Sequence, residues 1–360
     1  MPTLSFEPDS PYRRLAHSLD ALPNRFPPAQ DESDLRLLAK IFTPEEAGLA
    51  AGLLPELETP AQIAGRLGQD LRQVSGLLRD MARKGAIQMG KTPEGRLGFG
   101  LLPFVVGIYE AQGGRIDAEL AQLFEDYFQS TFHHTIQLKP PVHRVIPVGA
   151  SIENNMEVRP YESVTTLVDS MQAWGVTDCV CRTQKALIGQ PCEHPVDVCM
   201  VLSPQAGAFD HHSVIRPLSH AGAVQTLQRA AAAGLVHCVS NSQNDLWYIC
   251  NCCTCSCGIL RGMAELGMAN VVARSAFLNH VDEALCAACG DCVEACPFHA
   301  LSIELGYAQV SELRCVGCGV CIPVCPQGAL ALQRRENEAP PPASEEDWRR
   351  ARRAAAGEGG

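Results

Sequence analysis

One cysteine spacing, occurring twice, constrains this chain more than any other feature. Cys286-x2-Cys289-x2-Cys292-x3-Cys296-Pro297 is followed, with seventeen residues between, by Cys315-x2-Cys318-x2-Cys321-x3-Cys325-Pro326. Two-residue gaps turn three thiols of each repeat toward one centre, and the fourth stands apart, beyond a three-residue gap and before a proline. Four-thiolate zinc units end each set on one ion and do not call for this repeat, whereas a 4Fe-4S cube needs a thiolate at each of four corners. All 18 cysteines fall between Cys179 and Cys325, so the chain divides into a thiol-free and a thiol-rich half.

The repeat resembles the bacterial two-cluster ferredoxin family, with no departure in the ligand set. The resemblance implies that the fourth ligand is exchanged between repeats. Cys286, Cys289, Cys292 and Cys325 are then expected to hold one 4Fe-4S cluster, and Cys315, Cys318, Cys321 and Cys296 the other. It also implies electron transfer, since such a cube changes oxidation level with little change of shape. Gly290, Gly317 and Gly319 are expected to let the backbone come close to inorganic sulfur.

Ten cysteines lie upstream. Cys179, Cys181, Cys192 and Cys199 are expected to converge as one group, and four of Cys250, Cys252, Cys253, Cys255 and Cys257 as another, just ahead of a helix whose N-terminus favours thiolates. One or two further 4Fe-4S clusters are the preferred reading, and structural zinc competes because it tolerates irregular spacing. Cys238, alone in its stretch, reads as a buried small apolar residue. His133, His134 and His143 read as packed or surface imidazoles.

The composition agrees with a modular α+β chain. At 360 residues with 46% hydrophobic content it can form several small cores. Its net charge of -11 argues against a nucleic-acid coat and favours partners with basic surfaces. Clustered thiols suit a reducing compartment. No apolar leader and no uninterrupted apolar span of membrane length is evident, so membrane insertion is not expected and a cytoplasmic location is.

The organisation expected along the chain is an N-terminal arm over 1–33, broken by prolines, then a winged-helix-like domain and following helix over 34–130. A cysteine-rich central α/β region over 131–280, a two-cluster ferredoxin domain over 281–333 and a disordered tail over 334–360 complete it. The helix signals are local. Leu35, Leu38, Ile41 and Phe42 recur at helical intervals, Thr43-Pro44-Glu45-Glu46 starts a second helix, and Ile87–Phe99 can form a hairpin over Pro93-Glu94-Gly95. A helix interrupted at Gly113-Gly114 is expected over 105–130, and one from Ser163 leads to the first cysteines.

The same order of parts resembles a group of prokaryotic 4Fe-4S binding proteins with a winged-helix start, which implies a modular protein but no reaction. The leading expectation is an electron carrier or oxidoreductase subunit serving a redox partner protein, without catalysis of its own. Residues 61–100 carry seven basic and three acidic residues, so a redox-sensing regulator that binds DNA is the alternative. An accessory that activates another metalloenzyme is the third. The oligomeric state is open.

Overall fold

The computed structural model describes residues 6–152, 156–212, 214–264, 267–268 and 271–357. The chain forms two units, one of residues up to Thr135 together with Thr183–Gln190, the other of Ile136–Arg182 and the remainder from Pro191.

The first unit is mainly helical. Helix α1 (Pro11–Asp20) starts where Ser10 accepts from the Arg13 N–H, and it buries Leu15, Ala16 and Leu19. Sequence reasoning treats this stretch as an arm because of its prolines. Pro11, however, stands at the first helical position, where a missing N–H costs nothing and the fixed φ suits a helix. Phe26 follows, fully buried, with its ring centroid 4.7 Å from Phe104 and 4.8 Å from Tyr127.

Helices α2 (Ser33–Ile41) and α3 (Pro44–Ala50) come next, α3 opened by a reciprocal cap between Thr43 and Glu46. Helix α4 (Pro60–Leu67) repeats that cap with Thr59 and Gln62 and stops at Gly68. Helix α5 (Leu71–Arg83), capped by Asp70, buries Val74, Leu78 and Met81, one stripe at helical spacing. Strands β1 (Gln88–Lys91) and β2 (Leu97–Gly100) form the expected hairpin, pairing Gln88 with Gly100 and Lys91 with Leu97. The helix expected over 105–130 is regular only as α6 (Ala118–Ser130), because Asp117 caps it there. His133 is packed, its Nδ1 2.9 Å from the Phe128 carbonyl and its ring centroid 4.0 Å from that of His134.

The second unit is built on a six-stranded antiparallel sheet, whose strands are β3 (His143–Ile146), β4 (Ala173–Thr177), β5 (Cys199–Ser203), β6 (Arg216–Leu218), β7 (Val236–Ser240) and β8 (Tyr248–Cys252). Their spatial order is β3-β7-β8-β5-β4-β6. Helix α7 (Val164–Asp169) starts at Ser163 as expected, but ends before Trp174 and Gly175, so the chain reaches Cys179 from a strand. Helix α8 (Val180–Leu187) follows, with Thr183–Gln190 counted in the first unit, and α9 (His220–Ala232) leads into β7.

Alternation gives the sheet two different faces. Ile146, Val239, Ile249, Met200 and Leu202 share an apolar core with Val164, Leu167, Ala223 and Leu227 of α7 and α9. On the other face the register sets Cys238 opposite Val145 and Cys250, so thiols stand there among the alkyl chains of Val145 and Val236.

After the short helix α10 (Arg261–Ala264), strand β9 (Phe277–Val281) pairs antiparallel with the late strand β12 (Leu330–Arg334). Between them lie helix α11 (Asp291–Ala295) and the hairpin of β10 (Leu301–Glu304) and β11 (Tyr307–Val310). Where disorder is expected over 334–360, helix α12 (Glu345–Gly357) forms instead. Its Trp348 is buried and donates to the Pro141 carbonyl at 2.9 Å. Among the described residues no helix is long and apolar enough to cross a membrane.

Candidate metal centres

The eight cysteines of the repeat sort into two groups. Cys286, Cys289 and Cys292 line one pocket with Cys325 of the other repeat, walled by Ile303, Ala308 and Leu330. Ala308 N–H donates to the Cys286 sulfur at 3.4 Å, and Ala329 N–H to the Cys325 sulfur at 3.3 Å. Burial pushes the Cys292 thiol up, and so does charge on Cys286, Cys289 and Cys325.

The other four lie close enough to act on one another's charge. Burial drives the Cys318 thiol up to about 12, with Cys296 and Cys315 adding repulsion. Cys321 is raised further, first by burial and then by Cys318, Cys296 and Cys315. Ala300 N–H reaches the Cys296 sulfur at 3.3 Å and Asn279 Nδ2 the Cys321 sulfur at 3.2 Å. Thiols that repel one another as thiolates in a dry site, yet receive N–H donors, fit a cationic centre, whose charge reverses the penalty.

The glycines divide in their roles. Gly290, with φ of 90°, lines the pocket of Cys286. At Gly317, φ is 68° and a Cβ would stand 2.0 Å from the Phe277 carbonyl oxygen, so this close approach is to β9.

The upstream cysteines are grouped otherwise than their order suggests. The Cys179 thiol meets Cys181 and Cys199, Cys199 meets Cys250, and Cys250 meets Cys252. Cys257 then links Cys252 back to Cys181, closing a ring of six thiols. Hydrogen bonds from Cys181 and Cys199 hold the Cys179 thiol well below the usual range, and the Arg182 charge acts the same way. Two strands explain the ring, since β5 and β8 are neighbours with Met200 opposite Ile249, which brings Cys199 level with Cys250. Sequence reasoning placed Cys250 and Cys252 ahead of a helix. They lie on strand β8, ahead of α10 by a turn rather than at its N-terminus.

Cys192 leaves its expected group for a different one. Its sulfur, those of Cys253 and Cys255, and a ring nitrogen of His194 all lie within 4.8 Å of one another. Burial raises the Cys253 thiol, but a hydrogen bond from His194, the charge of Arg182 and Cys255 bring it down to about 6. The bond to Cys253 raises the His194 pKa in turn. Burial drives Cys255 the other way, up to about 12, with Cys253 contributing. His143, Cys238 and Cys252 form a second such group, wholly buried. Sequence reasoning missed His194 altogether. Its signal was the Cys-x-His spacing of 192–194, which mirrors Cys253-x-Cys255.

These centres define an iron–sulfur protein at least in its C-terminal part. The family of 4Fe-4S dicluster domains matches residues 285–329, which span both repeats, so this part is a ferredoxin-like 4Fe-4S domain. No curated protein and no solved structure matches the chain.

Proposed function

We propose that this chain is an electron-transfer protein, or the electron-carrying subunit of an oxidoreductase, working through two clusters and a third upstream. Cys286, Cys289, Cys292 and Cys325 hold the first, and Cys315, Cys318, Cys321 and Cys296 the second. When bound, each 4Fe-4S cluster accepts and returns one electron. The observation that carries this reading is Cys325 of the second repeat in the pocket of the first. The protein's part is to exclude water with Ala308 and Leu330 and to aim N–H donors at sulfur, which favours the more negative state.

Four of the six thiols in the ring of Cys179, Cys181, Cys199, Cys250, Cys252 and Cys257 are the ligands of the third cluster. Helices α3–α5 with the β1–β2 hairpin are read as a winged-helix-like module that docks protein rather than DNA. Three of its basic residues are already paired, Arg66 with Glu58, Arg83 with Asp80 and Lys84 with Glu46. Apolar Leu71, Met89 and Leu97 are 49%, 58% and 54% exposed. The redox partner is a protein with a basic surface.

Anaerobic iron and sulfide analysis with dithionite titration followed by EPR tests the proposal. About twelve irons per chain are expected, with dithionite-reducible signals from all three centres. About eight irons remove the third cluster from the account. Fewer than about four, or no reducible signal, end it.

A further inference from the structure

The ring and the dicluster pockets leave Cys192, Cys253 and Cys255 unused, and His194 stands among them. Their four ligand atoms lie within 4.8 Å of one another, with Cys255 Sγ 3.6 Å from His194 Nδ1. Around a single tetrahedral zinc, with zinc–sulfur bonds of ~2.3 Å, ligand sulfurs stand about 3.8 Å apart. The four atoms fit that compact arrangement, and three cysteines with one histidine are a donor set that structural zinc takes.

The surroundings are those of a held metal. Ser256 Oγ donates to the Cys192 sulfur at 3.4 Å. Arg182, 2% exposed, donates to the Pro195 carbonyl at 2.7 Å and to the Asn251 carbonyl. It thus ties the loop that carries Cys192 and His194 to the strand end that leads into Cys253. Its positive charge also offsets the net negative charge that three thiolates leave on a divalent ion.

We infer that Cys192, His194, Cys253 and Cys255 bind one zinc ion as a structural site, separate from the clusters. Four protein ligands fill a tetrahedron and leave no open position for water or substrate. The ion fastens the loop before β5 to the turn after β8. Those strands frame part of the six-thiol ring, so the zinc holds that ring's geometry without carrying electrons.

The test is zinc analysis and zinc-edge X-ray absorption on the full chain, purified anaerobically with its iron. One zinc per chain is expected, with three sulfurs at ~2.3 Å and one nitrogen at ~2.0 Å. His194→Cys should keep the zinc and convert the shell to four sulfurs. His194→Ala should lose zinc to a chromophoric chelator at least tenfold more readily, with the dicluster EPR signals unchanged. A chain without zinc, a wild-type shell lacking nitrogen, or a shell unaltered by His194→Cys overturns the inference. Because iron is counted separately, loss of the dicluster signals speaks only against the proposed electron carrier.

Discussion

His237 shows how much a single buried side chain can weigh. It is fully enclosed, its Nδ1 against Asn251 Oδ1, and burial depresses its pKa to about 4 although that hydrogen bond opposes the shift. The unfolded chain takes up this proton near pH 6.5, so below that pH unfolding gains a proton that the fold refuses. The stabilisation is complete above about pH 6.5 and is lost as pH falls toward 4, at most about 3 kcal/mol. Unfolding of wild type and His237→Gln by denaturant, from pH 7 to 4, should show a steeper acid loss in wild type. Equal slopes contradict the assignment. At this scale the sequence is legible where covalent spacing dictates chemistry, as in the eight repeat cysteines. It is not legible where the partner arrives from another strand. Cys199 beside Cys250, or His194 beside Cys255, depends on register across elements that no local pattern encodes.

Elements with reciprocal caps were readable, and those whose buried stripe is narrow were not. Helices α3 and α4 announce themselves through Thr43 and Glu46, and Thr59 with Pro60. Helix α12 hides because its composition is polar and, among its described residues, Trp348 and Arg352, one turn apart, are the buried ones. Arg352 stacks over the Trp348 ring at 5.4 Å and donates to the Leu138 and Pro140 carbonyls at 3.0 and 2.6 Å. Trp348→Ala removes the anchor of this helix, at a cost of about 3 kcal/mol. Trypsin should then cut early at Arg349, Arg350 or Arg353 while the iron content stays at the wild-type level. Unchanged resistance contradicts a docked α12. The strand at Ala173–Thr177 was missed for another reason: a helical pattern starting at Ser163 runs into Trp174 without a stop signal, and pairing with β5 decides the matter.

The whole molecule is strongly acidic, at -11, and its proposed partner is therefore basic. Electron exchange from the dithionite-reduced protein to a cationic haem protein should slow at least about tenfold as salt rises from ~10 mM to ~0.5 M, as screening shortens the reach of charge. A rate independent of salt contradicts partner choice by charge. Contacts divide the chain into two units, and β9 and β12 close the iron–sulfur part within the unit that also holds the six-stranded sheet. The central claim is the exchange of ligands between the repeats. EPR of dithionite-reduced Cys325→Ser, set beside Cys289→Ser and Cys318→Ser, tests it most directly. The account predicts that Cys325→Ser loses the same signal as Cys289→Ser and keeps the one lost in Cys318→Ser. A Cys325→Ser spectrum that matches Cys318→Ser contradicts it.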